Sequence, residues 1–109
     1  MSEKPAKKVY KVVAKVVSQK GICRAGHKVD DEFVLGRECP AGICGWAYCA
    51  LHGRMTVLAY GGIFPWTEAP DYSTLVACPD ANNPVVFKLR RLEEAYDWHR
   101  GDCRPGPLG

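Results

Sequence analysis

The ten residues from Val9 to Ser18 constrain this chain most. Tyr10, Val12, Ala14 and Val16 fall on one face of a two-residue repeat, and Val9, Lys11, Val13, Lys15 and Val17 fall on the other. That period, with its β-branched content, predicts a strand whose lysines carry their ammonium groups out to water. A strand needs partners. Glu32 to Leu35, ending at Gly36, predicts a second strand paired to the first across a long, cysteine-bearing loop. Ser73–Ala77 and Val85–Leu89 predict a third and a fourth, parted by the turn residues Asn82-Asn83-Pro84.

Between the two pairs the period changes. From Ile43 to about Tyr60, Ile43, Ala47, Ala50, Leu51, Val57 and Leu58 share one broad helical face, with Trp46 at its edge. Gly53 interrupts this run, which predicts a kink or two short helices. Gly61-Gly62 is a stop signal, and Pro65 prevents easy continuation. Leu92 to Arg100 reads as a further short helix. The fold class expected is α+β: a small antiparallel sheet in ββαββ order with one kinked helix packed on one face. Residues 1–8 are expected to form a flexible N-terminal segment, 9–100 the single domain and 101–109 a flexible, Gly/Pro-rich tail.

Composition bounds the function classes. The chain has 109 residues, 47% of them hydrophobic, so it can bury a core without disulfides or metal. A net charge of +3 argues for solubility more than for a nucleic-acid partner, and no aromatic stacking motif accompanies the lysines of the first strand. No apolar run reaches the ~18–20 residues a membrane span needs. The opening MSEKPAKKVYKVV lacks the apolar stretch and cleavage site of a signal peptide. The expected location is the cytoplasm, where the six cysteines stay reduced and point to metal, redox chemistry or core packing.

Four residues stand out. Cys23 and His27 lie four apart in a loop whose Gly21 and Gly26 let the backbone fold round an ion. Cys44 opens the helix, where free N–H groups favour a thiolate. Cys78 ends a strand and precedes Pro79. Together Cys23, His27, Cys44 and Cys78 make a Cys3His set suited to zinc, or three thiolates suited to an iron–sulfur cluster. The spacing lacks the tight paired motifs of ferredoxins or zinc ribbons, so inert, buried thiols stand as the alternative. A third reading makes Cys44 a nucleophile, His27 its base and Asp80 an orienting group or proton donor. Asp80 as the cap of a turn is the simpler expectation.

The remaining candidates are plainer. Cys49 stands ~140° round the helix from Cys44 beyond a full turn, and is read as core. Cys39 is read as a loop thiol, Cys103 as incidental and His52 as a capping or surface residue. In Gly61-Gly62-Ile63-Phe64-Pro65-Trp66, the two aromatic residues either plug the core or form a pocket wall or subunit contact. That segment and the odd face of the first strand suggest a homo-oligomer or docking to a larger redox enzyme.

Taken in order, Gly21-x-Cys23-x-x-Gly26-His27, Pro40-x-Gly42-x-Cys44, Gly61-Gly62-x-x-Pro65-Trp66 and Cys78-Pro79-Asp80 resemble the pattern of a family of small, roughly ninety-residue prokaryotic proteins known as conserved hypothetical. The resemblance runs from about Val9 to Arg91. It implies three family cysteines at Cys23, Cys44 and Cys78, with Cys39, Cys49 and Cys103 as additions in this chain. The Arg37-Glu38-Cys39 loop and the tail fall outside the pattern. The family is frequent in anaerobic bacteria and archaea, which suits an oxygen-sensitive centre and a role in redox or anaerobic metabolism.

Overall fold

The structure, a computed structural model, describes residues 8–36, 38–67 and 72–96. The expected segment 1–8, apart from Lys8, and the tail 101–109 lie outside the described residues, as do Arg37 and Cys103. The elements are β1 (Tyr10–Gln19), β2 (Glu32–Leu35), α1 (Gly45–Ala59), β3 (Ser73–Ala77) and β4 (Val85–Ala95). The four strands form one antiparallel sheet in the order β2-β1-β4-β3. With α1 on one face, this is a small α+β fold.

Strand length explains the order. β1 and β4, of 10 and 11 residues, are the strands that can satisfy each other's backbone groups over the greatest length. They take the centre and leave the 4-residue β2 and 5-residue β3 at the edges. The register sets Val12, Ala14 and Val16 beside Leu35, Leu89 and Phe87 on the helix side. All six are at most 1% exposed and meet Ala47, Leu51, Met55 and Leu58 of α1. Lys15, Val17, Val34 and Leu75 face away from α1 and are exposed.

Three expectations need correction. Leu92–Ala95 do not begin a helix. They continue β4, where Tyr10 pairs with Ala95 and Val12 with Arg91 across a local register shift. Leu-Glu-Glu-Ala favours helix locally, but the first half of β1 offers a ladder and Lys11 an ion pair to Glu94 (2.6 Å), and tertiary pairing overrides propensity. Residues 97–100 of that expected helix lie outside the described residues. Second, of the two outcomes expected at Gly53, the division into two short helices does not occur: α1 continues through it as the single helix of the expected fold class. The ~1 kcal/mol cost of a helical glycine is smaller than the gain from burying Leu51, Met55 and Leu58 around it. Third, Val57 faces outward while Met55 is buried. Apolar residues occur nearly all round α1, so periodicity alone blurs which of them faces the sheet.

The helix ends as its glycines predict. Gly61 adopts φ 85, its N–H donates to Leu58 O (3.1 Å), and the N–H of Gly62 donates to Val57 O (2.8 Å). This pair of bonds closes the last turn with a left-handed residue that only glycine takes without strain. Arg91 reaches over from β4 to the same end, donating through Nη1 to Leu58 O (3.2 Å) and Gly62 O (3.0 Å).

Tyr48 ties the other side of α1 to β2 by donating its hydroxyl to the Gly36 carbonyl. Burial pushes its pKa above the ordinary 10.0, with Cys39 and Tyr96 adding to the rise. Below pH 10 the phenol is protonated folded and unfolded, and its contribution is complete. As pH rises through the folded value the unfolded chain loses this proton first, so stability falls. Melting temperatures measured from pH 9 to 11.5 should therefore decline less steeply in Tyr48→Phe than in the wild type. Parallel declines would mean that Tyr48 does not titrate with folding.

Candidate functional site

The β1–β2 loop and the β3–β4 turn are fastened to each other before either can present a thiol. Asp80 caps its own turn, accepting at Oδ1 from the N–H groups of Asn82 (3.1 Å) and Asn83 (3.2 Å) and at Oδ2 from Asn83 Nδ2 (3.2 Å). Asn83 Oδ1 then accepts the N–H of Ile22 (2.9 Å), and the N–H of Lys20 donates to Pro84 O (3.0 Å). Gly21 has to be glycine at this crossing: its φ is 69, and a Cβ would lie 2.2 Å from Asn83 Oδ1. Two residues on, the chain turns at Cys23, whose carbonyl accepts from Gly26 N–H (2.9 Å).

Cys78 is set by the start of β4. Its N–H donates to Val85 O (2.9 Å), and its Sγ accepts from Val85 N–H (3.3 Å). Cys44 is the N-cap of α1, extended at φ −63 and ψ 131, with its carbonyl accepting from Tyr48 N–H (2.9 Å). No side chain caps this helix start. The Cys44 N–H donates instead to His27 Nε2 (3.0 Å). His27 is only 5% exposed and packs edge-on to Phe33 and Phe87, with ring centroids at 5.3 and 6.0 Å. Because Nε2 accepts, this geometry assigns the ring proton of neutral His27 to Nδ1.

Cys23, Cys44 and Cys78 all line one pocket of about 100 Å3, with Trp46, Arg24 and Asp80 among the other lining residues. Each of the three cysteines is half-buried, unpaired and packed against the core. Among the described residues, no three His, Cys, Asp or Glu side chains already stand at metal-ligating spacing. Of the four residues singled out by sequence, three line the pocket and His27 does not. It lies in the core and holds the backbone of Cys44. Asp80 lines the pocket while both of its oxygens serve the turn.

Trp46 is a pocket residue that the helical pattern placed only at the edge of the core face. It is 73% exposed, and its position two residues after Cys44 was the available signal. Cys49, expected in the core, is exposed. It lies two residues from both Ala47 and Leu51, hence ~160° round the helix from each of these buried neighbours. Cys39 is an exposed loop thiol and His52 an exposed helix residue. Trp66 does not plug the core. It is 59% exposed and stacks on half-buried Phe64 (4.9 Å, 9°), with the Arg54 guanidinium 5.4 Å from its ring and its indole N–H on Thr74 Oγ1 (3.1 Å).

No family model, no curated protein and no solved structure matches this chain.

Proposed function

We propose that this chain is a small cytoplasmic metal-site protein of redox or anaerobic metabolism, with Cys23, Cys44 and Cys78 as ligands to zinc or to an iron–sulfur cluster. One observation carries the reading: thiols from a loop, a helix N-cap and a strand end, 55 residues apart at the extremes, line one pocket. The donor set fits. Three soft sulfurs suit zinc or iron, and both metals occur with thiolate ligands. Inert packing is a poorer account, because packing alone gives no reason for three cysteines from distant segments to face the same opening. A Cys44–His27 nucleophile is poorer still, since His27 Nε2 is spent on the Cys44 amide rather than on its sulfur. No described helix is long and apolar enough to cross a membrane.

Anaerobically purified protein tests this reading by metal and sulfide analysis and by its absorption spectrum. Iron with sulfide and a brown colour identifies a cluster, and zinc without colour identifies a mononuclear site. Serine at Cys23, Cys44 or Cys78 should each reduce bound metal at least ~10-fold, as loss of a direct ligand exceeds the effect of losing a supporting group. Cys49→Ser should bind as the wild type does. Equal metal content in all four variants, or none in the wild type after reconstitution, would sink the proposal.

A further inference from the structure

We infer that the outer edge of β3 is a self-association surface, on which two copies of this chain pair antiparallel about Leu75 and join their sheets. The inference is independent of the metal reading above. The alternation along β3 carries it. Cys78 N–H donates to Val85 O, and Arg91 N–H donates to Tyr72 O. The even-numbered residues from Tyr72 to Cys78 therefore turn their backbone groups toward β4, and the odd-numbered ones turn theirs away. At Leu75 both N–H and C=O point off the sheet, and among the described residues nothing meets them. Exposed edges ordinarily carry a guard, such as a charge, a proline, a bulge or a cover. At β2, Glu32 supplies a charge and the Tyr48 hydroxyl takes the Gly36 carbonyl at the strand's end. Ser-Thr-Leu-Val-Ala of β3 has no charge and no proline, and it pairs with β4 without a register shift.

A second copy is the occupant because the strand is complementary to itself. A two-fold axis through Leu75, perpendicular to the sheet, sets it opposite the partner's Leu75 as a hydrogen-bonded pair and sets Thr74 opposite the partner's Val76. No charged residue of β3 then meets its like. Apolar surface is covered on both faces. On the open face Leu75, 59% exposed, packs on its own copy. On the other face α1 packs across β1, β4 and β3, centred over β4, so the two helices would stand three strand spacings apart, ~14 Å. Helices in direct contact stand ~8–10 Å apart. The Trp66 indole, also 59% exposed and held on Thr74 Oγ1 at this edge, enters that gap from each copy. One short strand and two apolar side chains per copy make a small contact, so the dimer forms with rising concentration and is not obligate.

The test uses the full chain, kept reduced so that no disulfide links two copies. Sedimentation equilibrium over a concentration series should show the mass rising toward twice that of one chain. Amide hydrogen exchange then locates the contact. Exchange at Leu75 should slow at least ~10-fold from dilute to concentrated protein, while Val34, which occupies the same outward position on β2, should exchange alike in both. Leu75→Lys sets two ammonium groups against each other across the axis and should raise the dissociation constant at least ~10-fold. Because Leu75 is exposed, the urea midpoint of the dilute variant should match that of the wild type. Val34→Lys should dimerise as the wild type does. A monomer at every concentration, a dimer whose Leu75 exchanges as in the monomer, or a dimer that Leu75→Lys leaves intact would each overturn the inference and leave the metal reading untouched. Should Leu75→Lys fail to fold, exchange at Leu75 in the wild type decides the matter.

Discussion

Phe87→Ala is expected to lower the free energy of unfolding by about 4 kcal/mol, the usual range for emptying a fully buried aromatic site. Phe87 is 0% exposed and is the largest of the fully buried side chains. It sits on β4 opposite Val16 of β1 and Val76 of β3, so the cavity would open in the middle of the sheet with little room to collapse. Against a total of ~5–15 kcal/mol for a domain of ordinary stability, that loss leaves little in reserve. Urea denaturation would show it as a lower midpoint at unchanged slope. The site should respond as well. Phe87 is one of two rings that hold His27 edge-on, and His27 anchors the Cys44 N–H. Cys44 in Phe87→Ala should therefore alkylate faster than in the wild type under folding conditions. A loss below ~1 kcal/mol would mean that the site repacks and that the ring is not the keystone of this core.

Arg91→Met should be nearly as damaging, at about 3 kcal/mol, for a different reason. Arg91 Nη1 donates to two carbonyls at the C-terminus of α1, each bond charge-assisted and placed where the helix dipole favours a cation. The guanidinium also lies 4.9 Å from the Tyr10 ring centroid and 4.4 Å from that of Tyr72, adding cation–π attraction from both. Methionine keeps the aliphatic bulk and removes all of this. For a domain of this size the melting temperature should fall by roughly 12–20 °C. Arg91→Lys should recover less than half of the loss, because an ammonium lacks the planar guanidinium that stacks on rings while its N–H groups donate in plane. Equal stability of the Lys and Arg forms would show that only the charge matters, and the ring contacts would then carry no weight.

The same contrast between local pattern and distant contact separates what could be read from sequence. The period-two run of β1 placed Tyr10, Val12, Ala14 and Val16 on one face, and Val12, Ala14 and Val16 are buried there. The spans Glu32–Leu35 and Ser73–Ala77 stand where their turn signals put them. Gly61-Gly62 ends the helix because the left-handed conformation needed after its last turn is a property of glycine itself. These features depend on residues a few positions apart, within reach of side-chain period and backbone sterics.

Other features depended on what the chain meets in space. Leu92–Ala95 became strand because β1 lay unpaired beside them. Cys49 turned outward because Ala47 and Leu51 set the buried side of α1. His27 lies four residues after Cys23, as a ligand would, yet the core formed by Phe33 and Phe87 encloses it and the helix start claims its lone pair. Asn83, unremarkable in the turn Asn82-Asn83-Pro84, proves to be the fastener that meets Ile22 across 61 residues of chain. Sequence by itself determined the strand faces, the helix stop and the placing of Cys44 and Cys78 at element ends, because each follows from local geometry. Tertiary structure alone decided which donors share a pocket, because a buried N–H or imidazole takes whichever partner the packed chain brings within 3 Å of it.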